Sequence, residues 1–216
     1  MQVISVNVSL PRIETIDGVE VATAIFKTPV DGPVMLRTLD FDGDAQGDPI
    51  AHGGPDQAAY VYPWEHYAYW SKELGQPQWP PGQFGENLTI AGLSEDEVRI
   101  GDEFAIGGAV VMVSQPRTPC YKLAHKMGLL EFPKQFLASG RIGFYLRVVR
   151  EGVIKAGDAV ERVKSDPEAF TVRAVSHLRY FDRGNVEGFR RAADLPALSQ
   201  GWRNAFAELL ANAAAR

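Results

Sequence analysis

Glu103-Phe104-Ala105-Ile106-Gly107-Gly108-Ala109-Val110-Val111-Met112-Val113-Ser114-Gln115-Pro116-Arg117-Thr118-Pro119-Cys120-Tyr121-Lys122-Leu123 is the stretch on which the fold turns. Glu103 to Ile106 and Ala109 to Val113 read as strands, and Gly107-Gly108 between them is a hairpin turn signal. Two prolines then end the sheet. Thr118 reads as an N-cap and Pro119 as the first helical residue, which puts Cys120 in the first turn of a short helix through about Met127. Unpaired N–H groups and the helix dipole favour negative charge there, and Arg117 and Lys122 add formal positive charge. Such a field favours the thiolate, the form that attacks electrophiles or binds a soft metal. A small buried apolar cysteine is the ordinary alternative.

Working outward, short strands are also expected at Gln2 to Val8, Val21 to Lys27, Val34 to Leu39, Asn87 to Ile90 and Gly143 to Val149. With 21 Gly and 14 Pro in 216 residues, many short elements joined by tight turns are favoured over a helical bundle. Val98-Arg99-Ile100-Gly101-Asp102 and Ile154-Lys155-Ala156-Gly157-Asp158 resemble each other and read as a recurring turn of a β-barrel. One helix is expected at Trp64 to Leu74, its aromatic stripe serving as core. Composition changes at Ser165. Asp166 reads as a cap with Pro167 at the first helical position, and Asn185 and Ser199 read as caps of two further helices. The expected organisation is a mainly β barrel over 1–164 and a three-helix appendage over 165–216, whose apolar faces the barrel or a partner covers. A homodimer is one arrangement this allows.

A net charge of −5 argues against a general nucleic-acid or anionic-membrane binder. The single cysteine excludes an internal disulfide and a multi-cysteine zinc site. The N-terminus alternates like a strand instead of a signal peptide, and no apolar run reaches membrane-spanning length, so a cytoplasmic protein is expected. There is no Gly-x-Gly-x-x-Gly fingerprint and no cysteine cluster for iron and sulfur, so the chain is not expected to oxidise NADH unaided.

A second constellation is His52-Gly53-Gly54-Pro55-Asp56, where glycines let backbone approach a ligand and His52 and Asp56 could bond it. A third is Gly85-Glu86-Asn87-Leu88-Thr89, with Glu86 a proton carrier and Asn87 an orienting amide, although both also suit turns. Arg37, Arg117, Lys122 and Lys126 are cations available to a phosphate-bearing ligand. Asp42-Gly43-Asp44-Ala45-Gln46-Gly47-Asp48 imitates the start of a calcium loop but has Gly53 at the twelfth place, so an acidic solvated loop is the expectation. A cysteine hydrolase would need His52 brought to Cys120, and no protease signature surrounds the cysteine.

In order along the chain, Lys27-Thr28-Pro29-Val30-Asp31-Gly32-Pro33-Val34, His52-Gly53-Gly54-Pro55-Asp56, Pro63-Trp64-Glu65-His66-Tyr67, Gly85-Glu86-Asn87-Leu88-Thr89 and Gln115 to Leu123 resemble the MOSC family, the molybdenum-cofactor sulfurase C-terminal domain. The helical tail is similar to that of its YiiM-like branch. The resemblance implies a MOSC-type β-barrel that binds a molybdopterin-type molybdenum cofactor, with Cys120 as the molybdenum ligand. Arg117, Thr118, Lys122, Asn87, Gly53, Gly54, Asp56 and Arg37 are then the candidate cofactor contacts; pyridoxal phosphate is not expected. It further implies reduction of N-hydroxylated compounds, including hydroxylaminopurines, to amines with electrons from a separate reductase. His52, Glu86 and His125 are the candidate proton donors. A sulfur or cofactor carrier using a Cys120 persulfide or thiolate is the competing expectation. Ser9-Leu10-Pro11-Arg12 departs from relatives that carry a Gly-Lys pair before Pro-Arg, which removes one cation.

Overall fold

The computed structural model describes residues 1–48 and 53–214. Its centre is an eight-stranded mixed sheet in the order β12-β8-β9-β10-β6-β7-β1-β4. These strands are β1 (Gln2–Val8), β4 (Thr28–Pro29), β6 (Ala59–Pro63), β7 (Leu88–Ala91), β8 (Glu103–Ile106), β9 (Ala109–Pro116), β10 (Phe144–Arg150) and β12 (Val160–Lys164). All pairs are antiparallel except β6 with β7. Two small ladders flank the sheet: the hairpin β2 (Arg12–Ile16) with β3 (Val19–Thr23), and β5 (Val34–Leu36) with β11 (Gly152–Ile154).

The sheet does not close into a complete barrel. The outer edge of β1 is shared: Asn7 and Val8 pair with Pro29 and Thr28, while Gln2 makes a single bridge to Ala159 just before β12. Three backbone bonds at that corner, Val3 N–H to Asp158 O (2.9 Å), Gly157 N–H to Val3 O (2.8 Å) and Val160 N–H to Met1 O (3.0 Å), join the two ends of the sheet without a continuous ladder.

The two similar pentads do make one turn used twice. Asp102 Oδ2 accepts the Arg99 N–H (3.0 Å) and Asp158 Oδ2 the Lys155 N–H (2.9 Å), and Gly101 and Gly157 take φ of 91° and 89°. Positive φ costs glycine nothing, and the aspartate satisfies a donor the turn would otherwise orphan.

Strand β6 is buried along its whole length, and its alternate side chains enter different apolar clusters. Ala59 and Val61 join the sheet interior; Tyr60 and Tyr62 join an aromatic cluster with Tyr67, Trp70, Phe84, Phe132 and Phe136. That cluster is wrapped by α1 (Glu65–Glu73), α2 (Tyr121–Met127) and α3 (Phe132–Ser139), and the Trp70 indole N–H donates to the Tyr62 hydroxyl (2.7 Å). The tail folds as three helices, α4 (Val172–Tyr180), α5 (Val186–Ala193) and α6 (Gln200–Ala214). Asn185 caps α5, its Oδ1 accepting the Gly188 N–H (2.8 Å). Asp166 does not cap α4: Thr171 does, its hydroxyl accepting the Ala174 N–H (3.1 Å), while Asp166 closes a local turn onto the Glu168 N–H (2.9 Å). Val172, Val175, Leu178, Phe189, Trp202 and Phe206 belong to the same core as the sheet. Among the described residues no helix is long and apolar enough to cross a membrane.

Candidate functional site

The β9 strand feeds the site directly. After Pro116 the Arg117 N–H still bonds Gly143 O (3.3 Å), extending the pairing with the chain entering β10. The helix then starts later than the sequence suggests. Cys120 is itself the N-cap of α2, in extended backbone (φ −124°, ψ 172°), and its carbonyl accepts the Leu123 N–H (3.0 Å). Thr118 is drawn elsewhere, its hydroxyl 3.0 Å from that of Tyr180 on α4.

Cys120 is half-buried in the wall of a cleft of about 640 Å³, counting the space open to solvent. Arg117, Thr118 and Lys122 from the same segment line it. The Arg117 guanidinium is buried, donates to Phe84 O and lies 4.5 Å from the Tyr60 ring centroid. Burial pulls its pKa down, but the facing Tyr60, Tyr145 and Cys120 groups outweigh that and hold it above the ordinary arginine value. It is a fixed cation. Lys122 Nζ donates to Ala22 O (3.1 Å), tying the segment to β3.

The facing wall comes from two strands in register. Tyr145 pairs with Gln115 on one side and Tyr60 on the other, and the two tyrosine rings lie 5.3 Å apart in a tilted contact. Asn87 closes the floor: Oδ1 accepts the Tyr60 N–H (3.1 Å) and Nδ2 donates to Asp44 Oδ2 (2.7 Å). Asp44 thus departs from the solvated loop expected of it. It is buried, paired with Lys27, and accepts the Ser9 N–H (2.8 Å). Gly47 runs so close to β3 that a Cβ there would lie 2.3 Å from Ala22 O.

The other candidates lie apart from this lining. Glu86 is fully buried and accepts from Gly82 N–H (2.9 Å), Phe84 N–H (3.1 Å), Thr89 hydroxyl (2.9 Å) and Tyr67 hydroxyl. Asp56 pairs with Arg147 (2.7 Å), Arg37 with Asp42 (2.7 Å), and His125 faces Glu14 (3.3 Å). Gly53 and Gly54 precede a 3₁₀ turn at Pro55–Gln57, Gly54 with φ of 94°. His52 lies outside the described residues. The residues the sequence reading passed over are Lys27, Asp44, Tyr60 and Tyr145. Lys27 stood in a quoted motif and Asp44 in the acidic loop, but nothing local signals that they meet.

The MOSC domain model matches residues 48–161, and a YiiM-like 3-alpha helix domain model matches residues 170–213. The chain belongs to the MOSC domain family. Among curated relatives it is 42% identical to YflK of Bacillus subtilis over 204 residues, covering 94% of this chain and 92% of that protein. It is 35% identical to YiiM of Escherichia coli over 182 residues, covering 83% and 81%. A protein of Gibberella moniliformis named as a reductase is 35% identical over 148 residues, which are 66% of this MOSC chain and 26% of that longer protein. The crystal structure of YiiM from Geobacillus stearothermophilus superposes with a TM-score of 0.82 at 39% identity, covering 97% of this chain and 98% of that one. The MOSC match spans the cleft residues from Gln57 onward, Cys120 included, while Lys27 and Asp44 precede it.

Proposed function

We propose that this MOSC protein is a molybdenum-cofactor-dependent reductase that converts N-hydroxylated compounds, such as hydroxylaminopurines, to amines with electrons from a separate reductase. The observation that carries the reading is a cysteine thiol in an open cleft whose wall includes a buried arginine and a buried lysine. A soft thiolate suits molybdenum, and buried cations suit a phosphate-bearing organic ligand. Among the described residues no group of three or more His, Cys, Asp or Glu could hold a metal ion by itself. A metal at Cys120 must therefore bring its other donors, as an organic metal-carrying cofactor does. The residues fit such a group.

In this reading Cys120 would hold the metal, Arg117 and Lys122 would face the cofactor's negative charge, Thr118 would supply a hydrogen bond, and Asn87 would hold the cleft floor in place. The chemistry a molybdenum cofactor supplies when bound is two-electron reduction of the N–O bond. The rings of Tyr60 and Tyr145 line the side facing Cys120, and Arg117, unable to lose its proton, keeps the site positive at every working pH. The fungal relative's name supports reductase chemistry, and the membership of the MOSC family supports the cofactor.

The test is Cys120→Ser made in a host that synthesises the cofactor. Molybdenum retention and reduction of a hydroxylaminopurine by a chemical reductant should both vanish, while the melting temperature of the metal-free protein moves by no more than about 2 °C, because the half-exposed sulfur contributes little packing. Full activity with tightly bound metal in the variant would defeat the assignment. Retained metal in the wild-type protein without turnover would favour the carrier reading.

A further inference from the structure

Lys27 and Asp44 form an ion pair in the cleft wall, with side chains only 9% and 2% exposed. Two donors besides Lys27 hold Asp44: the Ser9 N–H and the Asn87 amide, which is itself fixed by the Tyr60 N–H and by Asn7 O (3.3 Å). A desolvated pair of this kind is a poor source of stability, since apolar replacements commonly do as well. It lines the same cleft as Cys120, and the proposed reduction consumes protons there. Reduction follows R–NH–OH + 2 e⁻ + 2 H⁺ → R–NH₂ + H₂O: the N–O bond breaks, and the oxygen leaves as water once protonated. Glu86 is sealed beneath the cleft by four donors and His125 lies outside it, whereas Lys27 lines it.

We propose that Lys27, held in place by Asp44, gives the departing hydroxyl oxygen its proton and is reprotonated from solvent at the cleft mouth. The second proton, taken up by nitrogen, comes from water, and the electrons come from an external reductase or, in the test, from reduced methyl viologen. Burial lowers the Lys27 pKa while Asp44, Asp40 and Glu86 oppose it, so the amine releases a proton more readily than a solvated lysine. The inference rests on the reductase reading.

The experiment compares molybdenum-loaded wild type, Lys27→Ala and Asp44→Asn on a hydroxylaminopurine with reduced methyl viologen. Lys27→Ala should keep its molybdenum and a KM within about threefold while kcat falls about 100-fold. Added ethylammonium should restore part of the rate, which a merely structural defect would not allow. Independently of turnover, ¹³C-lysine NMR of the metal-free protein should place the Lys27 titration at the alkaline limb of wild-type kcat, and Asp44→Asn should move both to lower pH together. An Lys27→Ala protein as fast as wild type, or one that no ammonium rescues, overturns the proposal alone. If that variant fails to hold metal, the NMR comparison decides, and an alkaline limb that ignores the Lys27 titration overturns it. A loaded wild type without turnover overturns the reductase reading and this proposal together.

Discussion

Lys126, its ammonium buried but outside the cleft lining, shows how a single residue sets the pH response of the whole chain. Its ammonium donates to Ile25 O (2.8 Å) and Gly82 O (2.6 Å), and burial, reinforced by Arg117, Lys27 and Arg12 against the opposing pull of Glu86, lowers its pKa to about 7. Between pH 7 and 10.5 the unfolded chain keeps that proton and the folded chain does not, so stability rises with pH by up to about 1.4 kcal/mol per unit. Lys27 shifts in the same direction. Buried Tyr60, Tyr67 and Tyr145 shift upward, mainly through burial, so above pH 10 the unfolded tyrosines ionise first and stability turns down. Urea midpoints should therefore climb from pH 7 to 9, and Lys126→Met should remove about one proton's worth of that slope; a flat wild-type profile sinks the prediction. Cys120, Arg117 and Lys122 were legible in the sequence because they stand within five residues of one another at a strand end. Lys27 and Asp44 were not, because their meeting depends on how a loop before β6 folds against β1 and β7.

At the scale of elements, local chemistry was read well wherever one turn decides the outcome. Gly107-Gly108 makes the β8–β9 hairpin, and Asn185 caps its helix, as residue type demands. Reading failed where tertiary contacts choose between equals. Asp166 and Thr171 are both good caps, but Thr171 is the one beside the sheet, bridged to Arg99, with the next N–H bonded to Val98 O (2.9 Å). Strand β6 escaped notice because Ala-Tyr-Val-Tyr-Pro shows no polar alternation when both its faces are buried. Thr171→Ala should cost about 1 kcal/mol, read as a drop of about 2–4 °C in melting temperature, whereas Asp166→Ala should stay within about 0.5 kcal/mol. Equal losses at the two positions would reverse the capping assignment.

Across the molecule, the tail is where amphipathic pattern and tertiary role part company. Apolar stripes announce three helices whose faces need cover, but no stripe says what covers it. Here the cover is the sheet: α4 packs on β9, the Ser199 N–H bonds Ser114 O (3.0 Å), and Tyr180 reaches Thr118 beside the cysteine. If the three-helix appendage were separable, its removal would leave the cleft intact. With Val172, Val175, Leu178, Trp202 and Phe206 in the sheet's own core, a chain ending at Lys164 should instead uncover that core and lose its cooperative urea transition and its near-ultraviolet circular dichroism. Tyr180→Phe separates the two roles. It removes the hydroxyl contact to Thr118 and leaves the ring against Trp202, so folding should hold while alkylation of Cys120 by iodoacetamide changes rate. A soluble, cooperatively folded truncation that still binds molybdenum would show that the sheet completes its core without the helices.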